Sequence, residues 1–91
     1  MHPFGLFLLE SIPTERQRPL EGAYTWIADQ LRERTNGKID IQPCAVEHWF
    51  KGRRVPPGGT LGVLAEILGW SDSQTAQAVR LLMPAPAQVA A

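Results

Sequence analysis

One cysteine in 91 residues, Cys44, leaves no internal disulfide and no multi-cysteine metal site, and makes a reducing, cytoplasmic setting the simpler expectation. Charge of one sign is also missing. Nine Lys and Arg balance nine Asp and Glu, so the chain has no global positive field of the kind carried by histone-like, non-specific nucleic-acid binders. No apolar run approaches the roughly 20 residues that a membrane helix needs. The opening 1-MHPFGLFLLESIP-13 has neither a basic leader nor a small-residue cleavage site, so no membrane address is expected. The two histidines and Cys44 show no His-x-x-x-His or Cys-x-x-Cys spacing, and no nucleophile–base pair or carboxylate dyad has an interpretable arrangement. Neither a metal, a cofactor nor an enzymatic activity is expected.

What is present suits one soluble domain: 44% hydrophobic and 20% charged residues, in a chain too short to build two cores. The periodicity is helical throughout. Pro3 suits a first helical turn, and Phe4, Phe7, Leu8 and Ile12 follow at helical spacing until Pro13. The charged, proline-bounded 13-PTERQRPLEG-22 is a connection. From Glu21 to Thr35, Tyr24, Ile27, Ala28 and Leu31 form one stripe opposite Asp29, Arg32, Glu33 and Arg34. The pair 36-NG-37 tolerates positive φ and ends that helix; 38-KIDI-41 is too short for a sheet and is expected as an extended linker. Pro43 opens a third helix that places Val46, Trp49 and Phe50 on one face and Glu47, His48 and Lys51 mostly on the other, with Gly52 as its stop.

After 55-VPPGG-59, Thr60 is expected to cap a fourth helix bearing Leu61, Leu64, Ala65 and Leu68, ended by Gly69. Ser71 and Gln74 have the spacing of a capping box for a fifth, with Val79, Leu82 and Met83 as its apolar stripe. The expectation is therefore an all-α, compact bundle of about five short helices over residues 2–83, with 84–91 as a flexible tail.

The stretch 46-VEHWFKGRRVPPGG-59 superficially suggests a homeodomain reading helix, Trp-Phe-x-Asn-Arg-Arg. Gly52 stands where the adenine-reading asparagine is needed, and Pro56 and Pro57 cannot continue a helix, so that reading fails. The longer segment 46–71 instead resembles the second half of the lambda-repressor-like (Cro/C1, or Xre) helix-turn-helix domain. Val46, Trp49, Gly52, Pro56, Leu61, Leu64, Ala65, Leu68 and Gly69 occupy that family's packing positions. Ala28 stands for the small residue of the preceding helix, and 35-TNGKID-40 is an insertion relative to the family's turn.

The resemblance implies a sequence-specific, double-stranded-DNA-binding transcriptional regulator, dimeric, with helix 42–51 in the major groove. The positions matching reading residues are Gln42, Pro43, Cys44, Glu47 and His48. Gln42 has the chemistry for adenine, His48 can donate to guanine, Glu47 can accept from a cytosine amino group, and Pro43 and Cys44 offer apolar contact. Phosphate contacts would fall to Lys51, Arg53 and Arg54, with Tyr24 and Thr25 adding hydroxyl or backbone contacts. The dimer surface is expected on the last helix, through Val79, Leu82 and Met83, or on the apolar N-terminal segment.

The alternative is a protein-interaction module on the same scaffold, an antitoxin, inhibitor or adaptor with a second protein as partner; zero net charge and Glu47 on the outer face speak for it. Either way Trp49 belongs to the core, so Trp49→Ala should cost about 3–5 kcal/mol by denaturant unfolding. A loss well below that range would place its ring outside.

Overall fold

The computed structural model describes residues 2–82. The expected tail, 84–91, and Met83 lie outside them. Five helices and no strand are found among the described residues: α1 (Pro3–Ser11), α2 (Leu20–Arg34), α3 (Pro43–Phe50), α4 (Gly58–Leu68) and α5 (Asp72–Leu82), with a 3-10 turn at Thr14–Arg16. One core cluster joins them. α2 packs against α3 and α4, and α1 lies between α3 and α5.

α1 starts where His2 caps it, its Nδ1 accepting the Phe4 N–H at 3.1 Å, with Pro3 in the first turn. Phe4 and Leu8, four residues apart, and Ile12 just beyond are buried. Gly5 shares this inner side for a different reason. A methyl carbon added there would overlap the Phe50 carbonyl, so α1 and α3 meet backbone to backbone.

α2 buries Ala23, Tyr24, Ile27, Ala28 and Leu31, the anticipated stripe. Three helices then close in the same way, by a left-handed residue and a six-to-one backbone bond. At the end of α2, Asn36 (φ 52°) and Gly37 (φ 83°) turn the chain, and the Gly37 N–H reaches the Arg32 carbonyl at 2.8 Å. Gly52 (φ 74°) does this for α3, with the Arg53 N–H on the His48 carbonyl at 2.9 Å. Gly69 (φ 67°) does it for α4, with the Trp70 N–H on the Ala65 carbonyl at 3.0 Å.

The 35–42 linker is stitched down. The Thr35 hydroxyl donates to the Leu31 carbonyl at 2.7 Å and accepts the Ile39 N–H at 2.9 Å. The Lys-Ile-Asp-Ile alternation turns Ile39 and Ile41 toward the core and leaves Lys38 and Asp40 at its outer edge.

Thr60 does not cap α4. Two prolines cannot extend a helix backward but can precede one, so α4 begins at Gly58, its first bond runs from the Leu61 N–H to the Pro57 carbonyl at 3.0 Å, and Thr60 turns inward, 6% exposed. The end of α4 delivers Trp70 to α1. Its indole N–H donates to the Ser11 hydroxyl at 2.8 Å, the hydroxyl donates to the Phe7 carbonyl, and the Trp70 and Phe7 rings lie 5.1 Å apart.

α5 opens with the anticipated reciprocal cap: the Ser71 N–H donates to Gln74 Oε1 at 2.8 Å, and the Gln74 N–H to Ser71 Oγ at 3.1 Å. Its apolar stripe differs from expectation. Because α5 lies against α1, the small Ala78 is its fully buried residue, Leu81 and Leu82 pack partly beside it, and Val79 points outward.

Gly5→Ala should destabilise the protein by about 1–3 kcal/mol, since a backbone carbonyl cannot move aside as a flexible side chain would. Gly62→Ala is the control: it lies inside α4 with nothing near its added carbon, and should stabilise by about 0.5–1 kcal/mol. Paired denaturant titrations check both; equal effects would contradict the close α1–α3 approach.

Candidate nucleic-acid interface

α3 is two-sided. Val46, Trp49 and Phe50 are buried, and the Tyr24 ring meets the Phe50 ring edge-on at 4.9 Å. Opposite them, Cys44, Glu47, His48 and Lys51 recur at i, i+3, i+4 and i+7, one continuous outward stripe. It is partly open to solvent: Cys44 and Lys51 are exposed, Glu47 and His48 are half-buried. Gln42 precedes the helix, exposed, and its side chain makes no capping bond, which leaves its amide free for an outside partner.

The arginines hold their place through the backbone. The left-handed Gly52 sends the chain back so that the Arg53 and Arg54 N–H groups both approach the His48 carbonyl, at 2.9 and 3.4 Å. Both arginine side chains are exposed and neither forms an ion pair among the described residues. On the other side of Gly52 the His2 ring packs against the glycine, leaving no room for a side chain there. Gly52 is thus required twice, for its φ and for this contact. His2 was not singled out from the sequence as part of this region; a histidine preceding the Pro3 of a helix start is the one weak signal it offers.

Two neighbouring cations are already engaged. Lys51 Nζ lies 2.6 Å from Glu47 Oε2, and Arg32 binds Asp29 at 2.7 Å with Asp40 at 4.0 Å. The Lys51 hydrogen bond and charge hold the Glu47 carboxyl below the usual carboxylate range. The pair gives the outer face of α3 a donor and an acceptor that neutralise each other.

Two of the expected phosphate contacts are placed otherwise. Tyr24 is 7% exposed, a core ring rather than a surface group. Its hydroxyl pKa is raised, first by burial and then by the Glu47 charge, with Lys51 opposing, so the phenol end sits beside the Glu47–Lys51 pair. Thr25 is exposed, but its hydroxyl donates to the Glu21 carbonyl at 3.0 Å, and it faces a separate shallow cleft shared with Arg16, Glu21, Trp26 and Asp29. The one-residue step from Tyr24 to Thr25 turns about 100° around α2, which separates them. Among the described residues no three His, Cys, Asp or Glu side chains converge as a metal group would require, and no helix is long and apolar enough to cross a membrane.

Tyr24 is the chain's only tyrosine, so its ionisation can be followed directly by the tyrosinate absorbance band. The midpoint should lie above the ordinary value of about 10, and Glu47→Gln should lower it by removing a charge that opposes ionisation. Folding holds the phenol proton to higher pH than the unfolded chain does. Its stabilising contribution is therefore complete below pH about 10 and disappears as pH rises through the folded-state midpoint. An unchanged midpoint in Glu47→Gln would separate the Tyr24 hydroxyl from the α3 face.

No protein-family model matches this chain, and no curated protein or solved structure does either, so what the α3 face can do rests on its own residues.

Proposed function

We propose that this chain is a sequence-specific double-stranded-DNA-binding protein that regulates transcription from the cytoplasm, acting as a homodimer with α3 in the major groove. One observation carries this. An outward stripe of groups able to address base edges, Cys44, Glu47 and His48, runs beside Lys51 and two unpaired arginines fixed on a tight turn. In such docking the stripe and Gln42 meet bases while Arg53 and Arg54 take phosphates, which orient the helix without reading sequence. Lys51 takes a phosphate when it leaves Glu47. Tyr24 contributes chiefly by packing under α3, and Thr25 has no part in the face.

Twofold pairing would set two such helices about one DNA turn apart. Of the surfaces considered for it, the N-terminal segment spends Phe4, Leu8 and Ile12 in the core, leaving Leu6 outward; on α5, Val79 is the outward residue.

A second reading keeps the scaffold and replaces DNA with a protein partner, as an antitoxin, inhibitor or adaptor would. The Glu47–Lys51 pair favours it, because it leaves the centre of the stripe without net charge.

Titration of the protein against the DNA upstream of its own coding sequence and against an unrelated duplex, at several salt concentrations, distinguishes these. DNA regulation requires tighter binding to one sequence, with a log–log salt slope of roughly −7 if a dimer neutralises about eight phosphates. Arg53→Ala and Arg54→Ala should weaken binding to every sequence and flatten that slope by roughly two each, one phosphate per protomer. Weak, salt-insensitive curves for both duplexes would overturn the DNA reading in favour of the protein partner.

A further inference from the structure

One polar atom on the outward stripe is out of place. His48 Nδ1 is buried without a hydrogen-bond partner, the one such side-chain nitrogen or oxygen found among the described residues. Buried polar atoms are nearly always paired, so this one constrains which tautomer the neutral ring adopts. An imidazole with its proton on Nδ1 would bury an N–H bond with nothing to receive it. With the proton on Nε2, the buried nitrogen keeps only a lone pair, and buried acceptors tolerate lacking a partner better than donors do. Nε2 is not buried in this way and makes no hydrogen bond with a described residue. The ring thus faces outward with an N–H and with no acceptor.

We infer that His48 is held in its Nε2–H form as a donor-only reader of the α3 face, and that it selects guanine in the major groove. The inference rests on the DNA-binding reading above. Guanine alone offers two adjacent acceptors, N7 and O6; adenine sets an amino group beside its N7, thymine has the single acceptor O4 next to its methyl group, and cytosine presents only a donor. A histidine free to exchange tautomers could accept from adenine or cytosine as readily as donate to guanine. His48 cannot, because accepting at Nε2 would move its proton to the buried nitrogen. The neighbouring Glu47, once Lys51 has left it for a phosphate, is the complementary acceptor and admits a cytosine amino group beside that guanine. The backbone also restrains the ring's surroundings, since the Arg53 and Arg54 N–H groups both approach the His48 carbonyl. A reader already fixed in orientation loses little freedom on binding.

Long-range proton–nitrogen correlation on the nitrogen-15-labelled free protein tests the first half; His48→Gln assigns the signals, because His2 is the only other histidine. The expected pattern is a protonated Nε2 and an unprotonated, solvent-protected Nδ1. A protonated Nδ1, an average of two tautomers, or a solvent-exposed Nδ1 from a ring turned to bury Cδ2 overturns it.

For the second half, duplexes are enriched from a random library with the wild-type protein, and each guanine is replaced in turn by 7-deazaguanine, which lacks the N7 acceptor. One guanine per half-site should lose about ten-fold in affinity, and in His48→Ala the same replacement should cost nothing. A wild-type scan with no sensitive guanine overturns the assignment, and it decides the matter even if His48→Ala melts early. A guanine loss that persists undiminished in a folded His48→Ala protein overturns it while leaving the DNA reading intact. Failure to enrich any duplex overturns the DNA reading and the base assignment together, whatever the tautomer.

Discussion

Phe50 is the point on which the arrangement turns. Its ring is fully buried against the edge of Tyr24 from α2, and its carbonyl lies where Gly5 of α1 has no side chain. Those two contacts fix both the roll and the depth of α3, and the outward positions follow from helix geometry alone. Val46 and Trp49 complete the anchored underside. An eight-residue helix is too short to persist without such packing, since isolated helices below about 12–15 residues are marginal in water.

Much of this was written locally in the chain. The Val46, Trp49 and Phe50 stripe, the stop at Gly52, the turn at Asn36 and Gly37 and the reciprocal Ser71–Gln74 cap are each set by residues within a few positions of one another. Properties that depend on a distant neighbour were not legible. Gly5 carries no periodic signal, since its value lies in what it lacks opposite Phe50. Tyr24 reads equally as a core ring or a surface hydroxyl until α3 is placed over it. On α5, the choice between Ala78 and Val79 as the inward residue depends on how closely α1 lies. Thr60 departs from expectation for a local reason: cap preference favours threonine, but the prolines allow the helix to start three residues earlier.

The site divides along the same line. Spacing alone put Glu47, His48 and Lys51 on one face. The i, i+4 spacing of Glu47 and Lys51 also favours the bond they form, but spacing gave no sign that Thr25 would turn toward a separate cleft or that one nitrogen of His48 would be enclosed. In a chain of zero net charge these pairings decide where positive potential survives. Around α3 it is concentrated at Arg53 and Arg54, on the turn rather than on the helix. Such a division separates attraction to a polyanion from discrimination among base edges, because the charged groups and the hydrogen-bonding groups occupy neighbouring but distinct positions.

The Trp70–Ser11 hydrogen bond spans 59 positions of sequence. Closing a flexible loop of that length costs about 3.6 kcal/mol beyond a constant. One hydrogen bond contributes about 0.5–1.5 kcal/mol, and the accompanying ring contact about 0.5–1.5 more. Together they fall short of the closure cost. α1 is therefore retained only when Phe4 and Leu8 are buried in the same event, each contributing about 1.5–3 kcal/mol. The first helix is thus a clasp whose non-local contacts hold together or not at all, none of them sufficient alone.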